Sequence, residues 1–142
     1  MKHNFNIDVV ICEVPILKSD IFPPEGVNFS TEDFINVMRN YRKILSKRAL
    51  VDGYFLNEFL TEKTPDPAYL ILDIIEKYDG FYLKIGTMKQ TEAGRMMRYF
   101  LTHDRMRLLI GSIWNSKKCR NGSITAKLEK LRFDFVKINK EK

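Results

Sequence analysis

Six cations in the second half of the chain, Arg95, Arg98, Arg105, Lys117, Lys118 and Arg120, are the residues whose chemistry is easiest to name. A guanidinium meets phosphate oxygens as a bidentate fork, and an ammonium meets them as a point charge. On a helix, Arg95, Arg98, Thr102 and Arg105 recur at spacings that bring them to one side, so three guanidiniums would point the same way. The run Asn115 to Gly122 that follows is polar and basic and ends in a turn-forming Asn-Gly, which predicts an exposed cationic loop. Tyr99 and Trp114 are aromatics that can stack on a base, but helical spacing beside Met96 and Ile110 assigns both to the core.

Other chemistries fail for want of residues. The histidines are His3 and His103, too few for zinc-binding His clusters. His103 beside Asp104 has the form of a base with an orienting acid, although a partly exposed histidine at a helix start is the commoner explanation of such a pair. Pro65-Asp66 suggests a metal-dependent nuclease motif, yet no Asp or Glu has a Lys two positions later to complete it, and Asp66 reads as a helix cap. No Gly-x-Gly-x-x-Gly, Gly-Lys-Ser/Thr or Gly-x-Ser-x-Gly run is present. Cys119, between Lys118 and Arg120, would be an activated thiol if exposed, and a pairing with His103 across one helix is conceivable. Cys12 and Cys119 form no Cys-x-x-Cys, so neither a disulfide nor a zinc site is expected. The reading is of no catalytic set, no metal site and no cofactor.

The elements that must position the cations follow from periodicity. From Thr91 to about residue 101 the chain reads as a helix, with Met96, Met97, Phe100 and Leu101 on the apolar side. Thr102-His103-Asp104 predicts a break, and a second helix over about 103–116 would bury Leu108, Ile110 and Trp114. Arg107 disturbs that scheme by projecting into the apolar sector. Two helices around a short break have the general outline of a helix-turn-helix, a weak likeness shared by many proteins.

Further elements are read the same way. Residues 5–14 alternate and then become continuously apolar, which predicts a buried strand. Pro15, Pro23, Pro24 and Gly26 predict a long loop whose Ile16, Leu17, Ile21 and Phe22 must pack, as a strap over the core. Ser30 or Thr31 should cap a helix running to about Lys47. The segment 49–60 is ambiguous between helix and strand, because Gly53 interrupts a helical pattern. Leu70, Ile71, Ile74, Ile75 and Tyr78 predict a deeply buried helix over 68–78, followed by a strand at 81–85. Ile124, Leu128 and Leu131 predict a short helix, and 131–138 a strand with a bulge near Phe135.

The expected fold is therefore α+β: one domain over 1–142, frayed at 139–142, with a small, about three-stranded, mainly antiparallel sheet packed with four to five helices. A chain of 142 residues suits one core. No secretory leader opens it and no apolar run nears the roughly 18 residues of a membrane span, so a cytoplasmic protein without membrane contact is expected. An edge strand at either terminus could pair across a two-fold axis as a homodimer.

The net charge of +6 is divided: residues 1–79 hold 9 Lys/Arg and 13 Asp/Glu, whereas residues 80–142 hold 15 and 5. Such segregation steers a polyanion towards one face. The sequence thus favours a non-enzymatic nucleic-acid-binding protein using the basic 95–120 surface. The alternative is a protein–protein interaction module, an inhibitor, immunity or regulatory factor, docking that surface on an acidic partner.

Overall fold

The computed structural model describes residues 8–47, 51–53 and 68–138. In chain order these form β1 (Val9–Ile16), a 3-10 turn (Lys18–Asp20), α1 (Thr31–Lys47), β2 (Val51–Gly53), β3 (Tyr69–Lys77), β4 (Gly80–Met88), α2 (Glu92–Thr102), β5 (Met106–Lys118) and β6 (Ile124–Lys137). One antiparallel sheet has the order β1-β4-β3-β2, and β5 and β6 form a separate two-stranded sheet. His3, the start of the first predicted strand, Pro65, Asp66 and the 139–142 tail lie outside the described residues. Of the ambiguous 49–60 segment, the described part, β2, is strand.

The expected single, about three-stranded sheet with four to five helices is corrected: among the described residues there are six strands in two antiparallel sheets and two α-helices. Residues 68–78 are β3 rather than a helix, 106–118 are β5, and the presumed short helix from Ile124 is the first half of β6. Two β-bulges account for two of the misreadings. In β3 the register slips between Ile71 and Asp73, so Tyr69, Ile71 and Ile74 keep one face although the spacing changes from two to three. In β6 the slip opposite Ile113 and Trp114 leaves Glu129 as the extra residue. Leu128 and Leu131 therefore share a face at a separation that imitates a helix. In β5 both faces carry apolar residues: Leu108 and Ile110 are buried, while Leu109 and Ile113 are exposed. Alternation is hidden there.

The predicted ends of α1 and α2 were local and survive. Ser30 caps α1 in a reciprocal box: its Oγ accepts from Asp33 N–H at 3.0 Å, and its own N–H donates to Asp33 Oδ2 at 3.0 Å. Those bonds hold the Asp33 carboxyl below its ordinary pKa. Thr91 caps α2, its Oγ1 accepting from Gly94 N–H at 3.0 Å. The expected break at Thr102 is real, but it closes the helix instead of restarting one. Arg105 N–H returns to Phe100 O at 2.8 Å, and Asp104 adopts φ 55°, the left-handed conformation that ends a helix in this way.

The core gathers on one face of the four-stranded sheet. Leu83 and Ile85 of β4 and Ile74 of β3 are fully buried there. Helix α1 crosses β3, with Phe34 edge-to-face on Phe81 at 5.7 Å and Arg39 bonded through both nitrogens to Glu76 at 2.9 Å. Helix α2 buries Ala93, Gly94, Met97 and Phe100. The root of the β5–β6 hairpin supplies Leu108, Ile110, Leu131, Phe133 and Phe135 to the same cluster. Tyr69 and Tyr41 fasten it: their rings meet Phe135 and Phe133 at 5.2 and 5.4 Å, and their hydroxyls donate to Phe133 O and Leu131 O. The expected strap is corrected in part: Pro15 and Ile16 still belong to β1, and of the apolar residues expected to pack only Ile16 and Ile21 are buried, while Leu17 and Phe22 are exposed; further along the loop Phe29 meets Trp114 at 5.6 Å.

Candidate polyanion-binding surface

The six predicted cations divide into two groups. Arg95 and Arg98 lie on α2, and Arg105 lies in the turn that joins α2 to β5. Lys117 and Lys118 end β5 and Arg120 lies in the turn beyond it. β5 is a strand of 13 residues. At about 3.4 Å per residue its two ends lie roughly 40 Å apart, which separates Arg105 from Lys118 and Arg120. The expectation of one continuous 95–120 patch is thereby corrected, because the segment between the groups is an extended strand and not a compact helix.

Within the first group, Arg95 donates from Nη1 to Lys89 O at 3.0 Å, which ties it to the end of β4. Arg98 is partly buried and close enough to Cys12 to act on its thiol: burial pushes that thiol's pKa up, and the guanidinium partly offsets the rise. Arg95 is exposed, whereas Arg98 is partly covered. Trp114, assigned to the core, is half-buried against Phe29, and its indole N–H donates to Ser112 Oγ at 2.8 Å. Tyr99 corrects the core assignment: it is 52 % exposed and stacks on His103 at 4.0 Å.

The second group belongs to a larger surface. Odd-numbered β5 residues face away from the core, so Arg107, Leu109, Gly111, Ile113, Asn115 and Lys117 share the outer face. Opposite them on β6 are Val136, Asp134, Arg132, Lys130, Lys127 and Thr125. Near the root this face is not purely cationic. Arg132 Nε pairs with Asp134 at 2.9 Å, and Arg107 lines a hollow with Asp20 and Asp134. Towards the tip the acids disappear: residues 115–127 hold Lys117, Lys118, Arg120 and Lys127 and no Asp or Glu. A shallow concavity of about 310 Å³ opens there, lined by Asn115, Lys117, Thr125, Ala126 and Lys127. Two ammoniums, an amide and a hydroxyl around one hollow are hydrogen-bond donors suited to phosphate oxygens.

Lys127, Lys130 and Arg132 were not singled out by sequence reasoning. Their signal was the alternation Leu131-Arg132-Phe133-Asp134-Phe135, which extends back to Lys127 only once the bulge at Glu129 is allowed for.

The candidate Cys119–His103 pair does not form. His103 caps α2, with Nδ1 on Tyr99 O at 2.7 Å. Cys119 sits exposed in the hairpin turn, with the length of β5 between it and His103. Among the described residues no three His, Cys, Asp or Glu side chains gather as a metal site, and no helix is long and apolar enough to cross a membrane. Compared with protein-family models, with curated proteins and with solved structures, the chain gives no match to any of the three.

Proposed function

We propose that this protein is a non-enzymatic nucleic-acid-binding protein whose contact surface is the outer face and tip of the β5–β6 hairpin. One observation carries the reading. Residues 106–137 hold eight Lys/Arg and two acids, a net charge of +6, which equals the net charge of the whole chain. The remainder of the molecule is neutral. A long two-stranded ribbon with this field attracts a polyanion from any direction, and a ribbon of two strands fits the major groove of a duplex. The cations at the tip meet phosphates, so binding depends on backbone charge with little reading of bases. Both described cysteines are free, in keeping with a reducing, cytoplasmic setting as part of the same proposal.

The test is fluorescence anisotropy with mixed-sequence DNA and RNA as salt is raised. Four tip cations on phosphates give a log–log slope near −3.6, a loss of about a hundredfold between roughly 50 and 200 mM salt. Substitution of Lys117 or Lys127 by Gln should each reduce the slope by about 1. Absence of binding to either nucleic acid at about 50 mM salt overturns the reading.

A second reading rests on a different feature of the same face. Leu109 and Ile113 are exposed between the cations, Ile113 by 57 %, and an acidic protein partner would cover them together with Lys117 and Lys130. Under that reading Ile113→Ser abolishes partner binding, whereas it leaves a phosphate-driven interaction nearly unchanged.

A further inference from the structure

A second cleft lies away from the cationic tip, where an edge of each sheet remains open. β1 is the outermost strand of its sheet and β5 has β6 on one side alone, so among the described residues each has one edge without a strand partner. The ladder geometry says which backbone groups face outward, because in an antiparallel pair alternate residues exchange bonds. Lys89 N–H donates to Asp8 O, and Met88 N–H donates to Ala68 O on the β3 side. Val10, Cys12 and Val14 therefore bond to β4, while Ile11 and Glu13 direct N–H and C=O away from it. On β5, Ile138 N–H donates to Arg105 O, so odd-numbered residues bond to β6 and Met106 and Leu108 turn outward.

These two open edges line one cleft of about 590 Å³, with Cys12 to Pro15 on one wall and Met106 to Leu108 on the other. That volume lies within the roughly 300–1,000 Å³ of ordinary ligand sites. Its apolar lining includes Val14, Leu17, Leu101 and Met106, and its carboxylates are Glu13, Asp20 and Asp104 against the single cation Arg107. The excess of acid disfavours phosphate, which separates this cleft from the hairpin tip. Pro15 has no N–H and ends the donor run at Glu13, leaving about 13 Å of β1 edge.

We propose that this cleft binds an extended, basic peptide segment of a partner protein, which adds as a strand between β1 and β5 and joins the two sheets. Backbone groups of Glu13 and Leu108 bond the incoming strand, alternate apolar side chains enter beside Val14 and Leu101, and Lys or Arg side chains meet Glu13, Asp20 and Asp104. Glu13 already holds Lys77 through its Oε1, so an incoming guanidinium competes for that carboxylate.

The test uses the full chain and acetylated peptides of about eight residues that alternate Val with Arg or Val with Glu, followed by anisotropy. The Val/Arg peptide should bind saturably with Kd below about 1 mM, and the Val/Glu peptide at least about tenfold more weakly. Glu13→Pro removes an outward N–H without removing a β1–β4 bond; it should abolish peptide binding and leave nucleic-acid binding intact, so the two proposals fail separately. Hydrogen exchange on the wild-type complex gives a readout independent of that variant's folding, with slowed Glu13 and Leu108 amides. The proposal is overturned if Val/Arg does not bind, if both peptides bind alike, if folded Glu13→Pro binds as wild type does, or if those amides exchange at the same rate in the complex.

Discussion

Tyr69 shows how one residue joins the two sheets. Its hydroxyl donates to Phe133 O at 3.2 Å and its ring abuts Phe135, so it is held by β6 although it belongs to β3. Burial, reinforced by the nearby Asp134 and opposed by Arg132, pushes its pKa up to about 12. A raised value means that the folded chain holds the phenol proton more tightly than the unfolded chain does. The stabilisation is complete below about pH 10 and is lost as pH climbs from there towards 12, a swing of about 3 kcal/mol. Tyr69→Phe should cost about 1 kcal/mol at pH 8, because the Phe133 carbonyl loses its donor, and should flatten the alkaline decline. Urea midpoints of both proteins at pH 8 and near pH 11.5 check this; an equal alkaline loss in both proteins would refute it. At this scale the sequence was legible where chemistry is local. Ser30 caps α1 because its partner is three residues away, whereas nothing near Tyr69 in the chain announces a bond to residue 133.

At the scale of elements, the closest contact is that of α2 with β4. A Cβ on Gly94 would lie 2.1 Å from Met88 O, a backbone atom that cannot step aside. Gly94→Ala must lift the helix from the sheet and should cost at least about 3 kcal/mol in urea unfolding. Gly111→Ala is the control, since its Cβ would meet Arg132 Cβ at 3.7 Å, an ordinary contact, and its stability should be unchanged or slightly raised. Elements with one exposed face and no irregularity, α1, α2 and β4, were readable from their apolar spacing. β3 and the first half of β6 were not, because a bulge inserts one residue and turns a period of two into something that passes for a helical period. The tight turn Tyr78-Asp79 before Gly80, at φ 143°, then joins two strands where a helix end was expected.

For the whole molecule, charge and core are physically separate. The hairpin root, with Leu108, Ile110, Leu131, Phe133 and Phe135, is part of the core, while the segment from Asn115 to Thr125 is exposed throughout. Replacing residues 116–126 by Asn-Gly, so that Asn115 and its hydrogen-bonded partner Lys127 flank a two-residue turn, should therefore preserve folding. The melting temperature should change by no more than about 5 °C, and nucleic-acid binding should disappear. Retained binding would locate the site elsewhere. Read alone, the sequence determined which residue types are available: a basic second half, two histidines, a capped helix near 31 and a helix over about 91–101. Those depend on composition and on neighbours within a turn. The tertiary structure alone decided that residues 106–137 are a single long hairpin, that Arg105 and Lys118 stand at opposite ends of β5, and that two sheet edges face one cleft. Such features arise from pairing between distant segments, and pairing register is set by burial on a shared face rather than by any local preference.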